Sequence, residues 1–158
     1  MRWKRSESGV RQATRRPRVI VLDTNIVSEF SRPRMNANVL RWFEASDFGS
    51  LYLCSVVIME QIYGADRILR QSGSDRYHRV LGRLIEERFD NRILEWTIAD
   101  AERTGQIHAR RDAIGRPMGV QDAMIAAICL SHGASPATRN TKDVEGLDLR
   151  LVNPFEVG

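Results

Sequence analysis

Hydrophobic positions in this chain follow two habits. In one, short apolar stretches stand without polar alternation. In the other, apolar residues recur every three or four positions. The first habit centres on Val19–Leu22, Leu51–Leu53, Arg92–Trp96, Ala134–Thr138 and Leu149–Val152. Such stretches are too short for helices and predict strands buried on both faces, as in a parallel sheet. The second habit predicts helices over 36–46, with Val39, Leu40, Trp42 and Phe43 on one stripe, and from Val56 to about Arg70, with Ile58, Ile62, Ala65 and Leu69 inward. It continues over about 75–89, Asp100–Arg111 and Ala123–Ser131. Ser72-Gly73-Ser74-Asp75 ends one helix and caps the next, and His132-Gly133 closes the last. Strands alternating with helices make an α/β sandwich around a mainly parallel sheet of about five strands.

Composition narrows the class. With 158 residues, 42% hydrophobic and 28% charged, the chain supports one domain with a real core. The longest purely apolar run, Ala123–Leu130, falls well short of a membrane span. Cys54 and Cys129 form no C-x-x-C pair, so a reduced cytoplasmic protein without a zinc site is expected. The formal net charge is +4. Residues 1–18 carry Arg2, Lys4, Arg5, Arg11, Arg15, Arg16 and Arg18 against Glu7 alone, so residues 19–158 are slightly acidic. The division expected is therefore a basic, disordered leader over 1–18 and a folded domain over 19–158.

The first strand runs into Asp23, Thr24 and Asn25. In open α/β sheets ligands gather outside the carboxyl ends of the strands, and Asp23 falls there. It can cap the following helix, hold a metal ion or carry a phosphoryl group. Glu60 lies early in the helix after the second strand, Asp122 opens the helix before the fourth, and Asp143 follows the fourth in a loop. All four can face one rim of the sheet. Two unit charges about 4 Å apart repel by roughly 1 kcal/mol in water and about 4 kcal/mol at an effective dielectric near 20. Gathered carboxylates therefore imply a bound cation or a raised pKa. Oxygen ligands without nearby His or Cys suit Mg²⁺ or Mn²⁺, an arrangement able to activate water against a phosphodiester. Each acid also has a plainer use: Asp23 and Asp122 as helix caps, Asp143 as an exposed loop acid. His78, His108 and His132 are isolated, and none stands at metal-ligand spacing. Arg139 and Lys142, beside Asn140 and Asp143, and Arg116, in the Gly115–Gly119 loop, are candidates for phosphate contacts.

The motifs L-D-T-N-I-V-S-E at 22–29, E-x-x-x-G at Glu60–Gly64, Q-D-A-M-I-A-A at 121–127, A-T-R-N-T-K-D at 137–143 and N-P-F at 153–155 occur in that order. In this the chain resembles the PIN-domain nucleases, and among them the VapC-type toxins of toxin–antitoxin pairs. The resemblance implies a parallel five-stranded sheet and an endoribonuclease using one or two Mg²⁺ or Mn²⁺ ions. It implies a homodimer, an antitoxin segment occupying the active-site groove, and contact with DNA only through that antitoxin. By position, Asp23, Glu60, Asp122 and Asp143 match the family's acidic quartet and metal ligands. Asn25 and Asn140 match polar positions near the metal, and Thr138 a supporting hydroxyl. Gln61 stands where the family often has Leu, and Val144 replaces a frequent Phe.

Two other readings compete. A phosphatase or phosphotransferase could use Asp23 as nucleophile, but such sites want a second acid two residues on, where Asn25 stands. A PIN-like module could act only through an antitoxin on DNA, although the acids are intact.

Overall fold

In the computed structural model, which describes residues 18–156, the strand β1 (Ile20–Leu22) is buried along its whole length, as its unbroken apolar run requires. It pairs in parallel with β2 (Leu51–Cys54) on one side and β4 (Ser135–Ala137) on the other, and β2 pairs in parallel with β3 (Ile93–Leu94). The strand order is β3-β2-β1-β4. Ile20 stands opposite both Leu51 and Ser135, and Leu53 opposite Ile93.

The expected fifth strand at Leu149–Val152 does not form. Only one parallel bridge remains, between Ala137 and Val152. The rung is complete: Val152 N donates to Pro136 O at 3.0 Å and Thr138 N donates to Val152 O at 2.9 Å. A rung before it would need an N–H from Pro136, and a rung after it one from Pro154. Proline has none, so the ladder stops in both directions. The sheet therefore has four strands.

Among the described residues seven α-helices surround it. The first four are α1 (Thr24–Glu29), α2 (Ala37–Ala45), α3 (Ser55–Ser72) and α4 (Arg76–Arg83), the last running on through a wider turn at Leu84–Arg88. They are followed by α5 (Ile98–Ala113), α6 (Val120–His132) and the short α7 (Thr141–Val144). Right-handed crossovers in this strand order put α1–α4 on one face of the sheet and α5–α6 on the other. Asn36 caps α2 through its side chain, with Asn38 N at 2.9 Å and Val39 N at 3.3 Å. Gly73 and Gly133 end α3 and α6 at φ 71° and 58°, a conformation that costs glycine little.

Two starts differ from the sequence pattern. The helix expected from Asp100 begins two residues earlier, because Thr97 and Asp100 form a reciprocal capping box. Asp122 sits inside the first turn of α6 and not at its cap, which is Gly119.

The main core joins β1 and β2 to Ile26 and Val27 of α1, Val56 and Val57 of α3, Leu81 of α4 and Ile125 and Ile128 of α6. A second cluster joins Ile107 of α5, Met118 of the loop before α6, Ala123 and Ala126 of α6, and Val144 of α7. Thus α6 is buried on two sides, which explains its nearly unbroken apolar sequence. Glu29, at 2% exposure, is a buried acid with a purpose: its Oε2 accepts from Asn36 N at 2.7 Å and its Oε1 lies 3.3 Å from Arg32 Nη1. It clasps the loop between α1 and α2. Among the described residues no helix is long and apolar enough to cross a membrane.

Candidate active site

Chain connections run outward from β1 through β2 to β3, then return past β1 to β4. A crevice opens at such a reversal, between the carboxyl ends of the two strands whose connections diverge, here β1 and β4. Asp23 is the first residue after β1 and Thr138 the first after β4. Asp23 N still donates to Ala137 O, at 3.0 Å, so both side chains leave the sheet from fixed backbone.

The Asp23 carboxylate is engaged on both oxygens. Oδ1 accepts from Thr24 N at 2.8 Å and caps α1, while Oδ2 accepts from Thr138 Oγ1 at 2.7 Å. Capping and a place in the cleft are thus met by the two oxygens of one group. Thr138, at 4% exposure, also accepts from Asn140 N at 3.0 Å. The Asn140 side chain donates to Asp143 on α7. Asp122 reaches the same cleft from α6. Gly119 leaves it room, since a Cβ there would stand 3.2 Å from Asp122 Oδ2. The cleft, of about 310 Å³, is lined by Asp23, Asp122, Ile125, Thr138, Asn140 and Asp143 among others.

Glu60 lies next door. It faces an adjoining groove of about 550 Å³ with Thr24, Ser28, Gln61 and Tyr77. Its Oε1 and the Thr24 Oγ1 are both buried without a hydrogen-bond partner. Thr24 had no role in the sequence reading; its place between the capping Asp23 and Asn25 was the one available sign. Gln61, the departure from a common Leu, donates to Thr24 O at 3.2 Å and Ser28 Oγ at 3.1 Å, tying α3 to α1.

Electrostatics mark the acids as a group. Burial raises the Asp122 carboxyl most, then the charges of Asp23 and Asp143 and a side-chain bond with Asp143, to about 6. Glu60 is raised by burial, then by the charge of Asp23 and, less, by that of Asp122, although the nearby Thr24 hydroxyl pulls the other way. Asp23 is raised by burial even though bonds from Thr138 and Thr24 pull the other way, and Asp143 adds repulsion. A divalent cation fits this set: the donors are all oxygen, the carboxylates repel one another, and Glu60 Oε1 is an unused buried acceptor. The carboxylates stand splayed, however. Among the described residues no three His, Cys, Asp or Glu side chains already lie at ligating distance. Closing a shell requires rotation of Asp122, Asp143 or Glu60, while Asp23 is held.

The other sequence candidates spread out from this centre. Asn25 is exposed on α1, outside the cleft lining. The Arg139 guanidinium lies over the Phe155 ring, 4.1 Å from its centroid. Lys142 is exposed on α7. Arg116 Nη1 stands 3.9 Å from Glu145 Oε2, both side chains largely in solvent.

Comparison with known proteins follows the same geometry. The chain is 37% identical over 127 residues to the tRNA(fMet)-specific endonuclease VapC of Shigella flexneri, covering 79% of this chain and 89% of that protein. It is 33% identical over 138 residues to the plasmid stability protein StbB of Pseudomonas syringae pv. tomato, covering 87% and 99%. It is 29% identical over 137 residues to the toxin FitB of Neisseria gonorrhoeae, again covering 87% and 99%. Its fold superposes on the solved structure of FitAB bound to an IR36 DNA fragment with a TM-score of 0.79 and 28% identity, covering 89% of this chain and 98% of that one. The PIN domain family model matches residues 20–145, from the first residue of β1 to just past Asp143. With motifs, strand order and relatives in agreement over most of its length, the chain belongs to the PIN-domain family.

Proposed function

We propose that this protein is a metal-dependent endoribonuclease and the toxin of a toxin–antitoxin pair, hydrolysing RNA phosphodiester bonds with water. The observation that carries this reading is the meeting of Asp23, Asp122 and Asp143 in one cleft at the sheet's reversal, with Glu60 beside it. The likeness to a tRNA endonuclease and to a toxin supports the substrate and the role.

In this reading Asp23, Glu60, Asp122 and Asp143 hold one or two Mg²⁺ or Mn²⁺ ions. A bound ion supplies easier deprotonation of an attacking water and offsets charge building on the phosphoryl oxygens. The chain's own contribution is preorganisation. Thr138 and Thr24 N fix Asp23, so only the other acids move. Without metal, burial and the neighbouring acids raise Asp122 to about 6, and a bound cation would relieve that repulsion. Thr138 and Asn140 link the Asp23 and Asp143 sides of the cleft, whereas the exposed position of Asn25 on α1 lends its expected supporting role no contact. Arg139, Lys142 and Arg116 lie outside the acids, where substrate phosphates approach.

The antitoxin partner, whose segment would occupy the active-site groove, is supported by the likeness to the FitAB complex; DNA would be reached only through it. Met59, Ile62 and Tyr63 present an exposed apolar stripe on α3, at 49%, 42% and 66% exposure, suited to burial in a homodimer. The compartment is the cytoplasm. Both Asp23 oxygens being hydrogen-bonded leaves little support for a phosphatase in which that carboxylate attacks phosphorus. The test is cleavage of RNA with Mg²⁺ or Mn²⁺ by wild type, Asp23→Asn and Asp122→Asn. Both variants should lose at least about a hundredfold in rate; three equal activities would refute the assignment.

A further inference from the structure

Arg111 is the anomaly of α5. A charged residue near the end of an amphipathic helix belongs in solvent, yet Arg111 is 5% exposed. It makes no ion pair among the described residues, and its Nε is buried without a partner. A buried guanidinium without a carboxylate is costly and adds little to stability. Its one described side-chain bond runs from Nη1 to Glu145 O, at 2.8 Å across 34 residues of chain.

Glu145 is the residue that closes α7, and α7 carries Asp143. A helix of four residues has no stability of its own; its last carbonyl, that of Val144, accepts from Leu147 N at 3.2 Å. The Arg111 guanidinium satisfies the carbonyl of Glu145, the residue at which the chain leaves α7 for extended backbone. One turn earlier, Ile107 shares a buried cluster with Val144. The same arginine also governs the approach to Asp122. Its carbonyl accepts from Arg116 N at 3.0 Å, shaping the loop into α6, and Arg116 in turn faces Glu145 Oε2.

The geometry points to Arg111 as a positioning residue for the acid cleft: it holds the short helix bearing Asp143 at a set distance from Asp122. This rests on the nuclease reading for its consequence, but not for its mechanical part. Arg111→Met replaces the buried charge with an apolar side chain of similar reach, so thermal stability is retained or raised. Hydrogen exchange of peptides covering 141–147 should nevertheless quicken about tenfold or more, while peptides from β1 and β2 stay unchanged. Mn²⁺ affinity by calorimetry and kcat should each fall about 10–100-fold. Arg111→Lys, which keeps a donor, should return part of both. In an Asp143→Asn background Arg111→Met should add little further loss, because the strut then carries nothing.

Unchanged exchange at 141–147 in both variants overturns the inference, as do losses that simply multiply between Arg111→Met and Asp143→Asn. A wild-type protein that neither binds Mn²⁺ nor cuts RNA overturns the nuclease reading instead, and the exchange measurement then decides the role of Arg111 alone.

Discussion

Replacing Thr138 by valine keeps the shape of a side chain that is 4% exposed and deletes one oxygen. That oxygen donates to Asp23 Oδ2 at 2.7 Å and accepts from Asn140 N at 3.0 Å. The first bond is to a carboxylate at 8% exposure and is worth about 1.5–3 kcal/mol. The second costs little to lose, because Asn140 is exposed and water can serve its N–H. Thr138→Val should therefore lose about 2–3 kcal/mol at pH 7 without metal. For a chain of this length that lowers Tm by roughly 4–12 °C.

The loss should depend on pH. The Thr138 bond favours ionised Asp23, so its removal raises further a carboxyl that burial already raises. A raised carboxyl makes the native state bind protons more tightly than the unfolded chain does. Stability then falls as pH rises from the ordinary carboxylate value, about 3.9, through the native one. The gap between wild type and variant is widest at neutral pH and narrows on acidification. Urea unfolding with chelator at several pH values between 4.5 and 7.5 measures it. Thr138→Ser should keep most of the stability, and in Asp23→Asn the valine substitution should cost about 1 kcal/mol or less. A loss under about 0.5 kcal/mol at pH 7, within the range of neutral surface changes, would refute the reasoning. So would a loss indifferent to pH.

Three further outcomes are expected. Relative to Asp122→Asn, chelated wild type should lose stability as pH rises from about 4 to about 6, since native Asp122 keeps its proton longer than the unfolded chain; Mn²⁺ at about a hundred times its Kd should restore about 2.7 kcal/mol, read as a Tm shift. Glu29→Ala should cost about 2 kcal/mol in urea unfolding by stranding Asn36 N–H, and Glu29→Gln clearly less. Asp100→Ala should cost about 2–3 kcal/mol, removing the capping box and the bond from Ser131. Burial raises the Asp100 carboxyl, but bonds from Ser131 and Thr97 and the His132 charge outweigh it and hold it below the usual range. Its contribution is therefore present above about pH 4 and lost below, so the two unfolding curves should converge on acidification.

Local pattern carried much of the fold. Val19–Leu22 read as a strand because its apolar run has no alternation, and Val56–Arg70 as a helix because its apolar positions recur every turn. Asp23 and Asp143 were legible because they follow strands, at the edge where such folds bind ligands, and Asp122 because it stands at the start of the helix that leads into β4. Other features depend on partners distant in sequence. Leu149–Val152 has strand composition, yet Pro136, thirteen or more residues away, withholds the donor it needs. The helix α7 is too short to show a period. Glu29 and Arg111 look like solvent-facing charges until Asn36 N and Glu145 O are placed beside them. Glu60 read as one of four converging acids, and the fold sets it at the adjoining groove because α3 carries it one helical face away. Thr138 entered by resemblance alone; its bond to Asp23 exists only once β1 and β4 are neighbours.

The two prolines that halt the fifth strand also govern how this protein behaves in a crowd. A sheet edge with free N–H and C=O groups is a template on which another chain can add a strand and begin an aggregate. One edge here is β3, two residues long. The other is β4, where Pro136 turns a missing donor outward and Val152 already occupies the rung beside it. Neither edge offers the run of unpaired groups that self-association by strand addition needs. The same residues that leave the sheet one strand short therefore also close its β4 edge to strand addition.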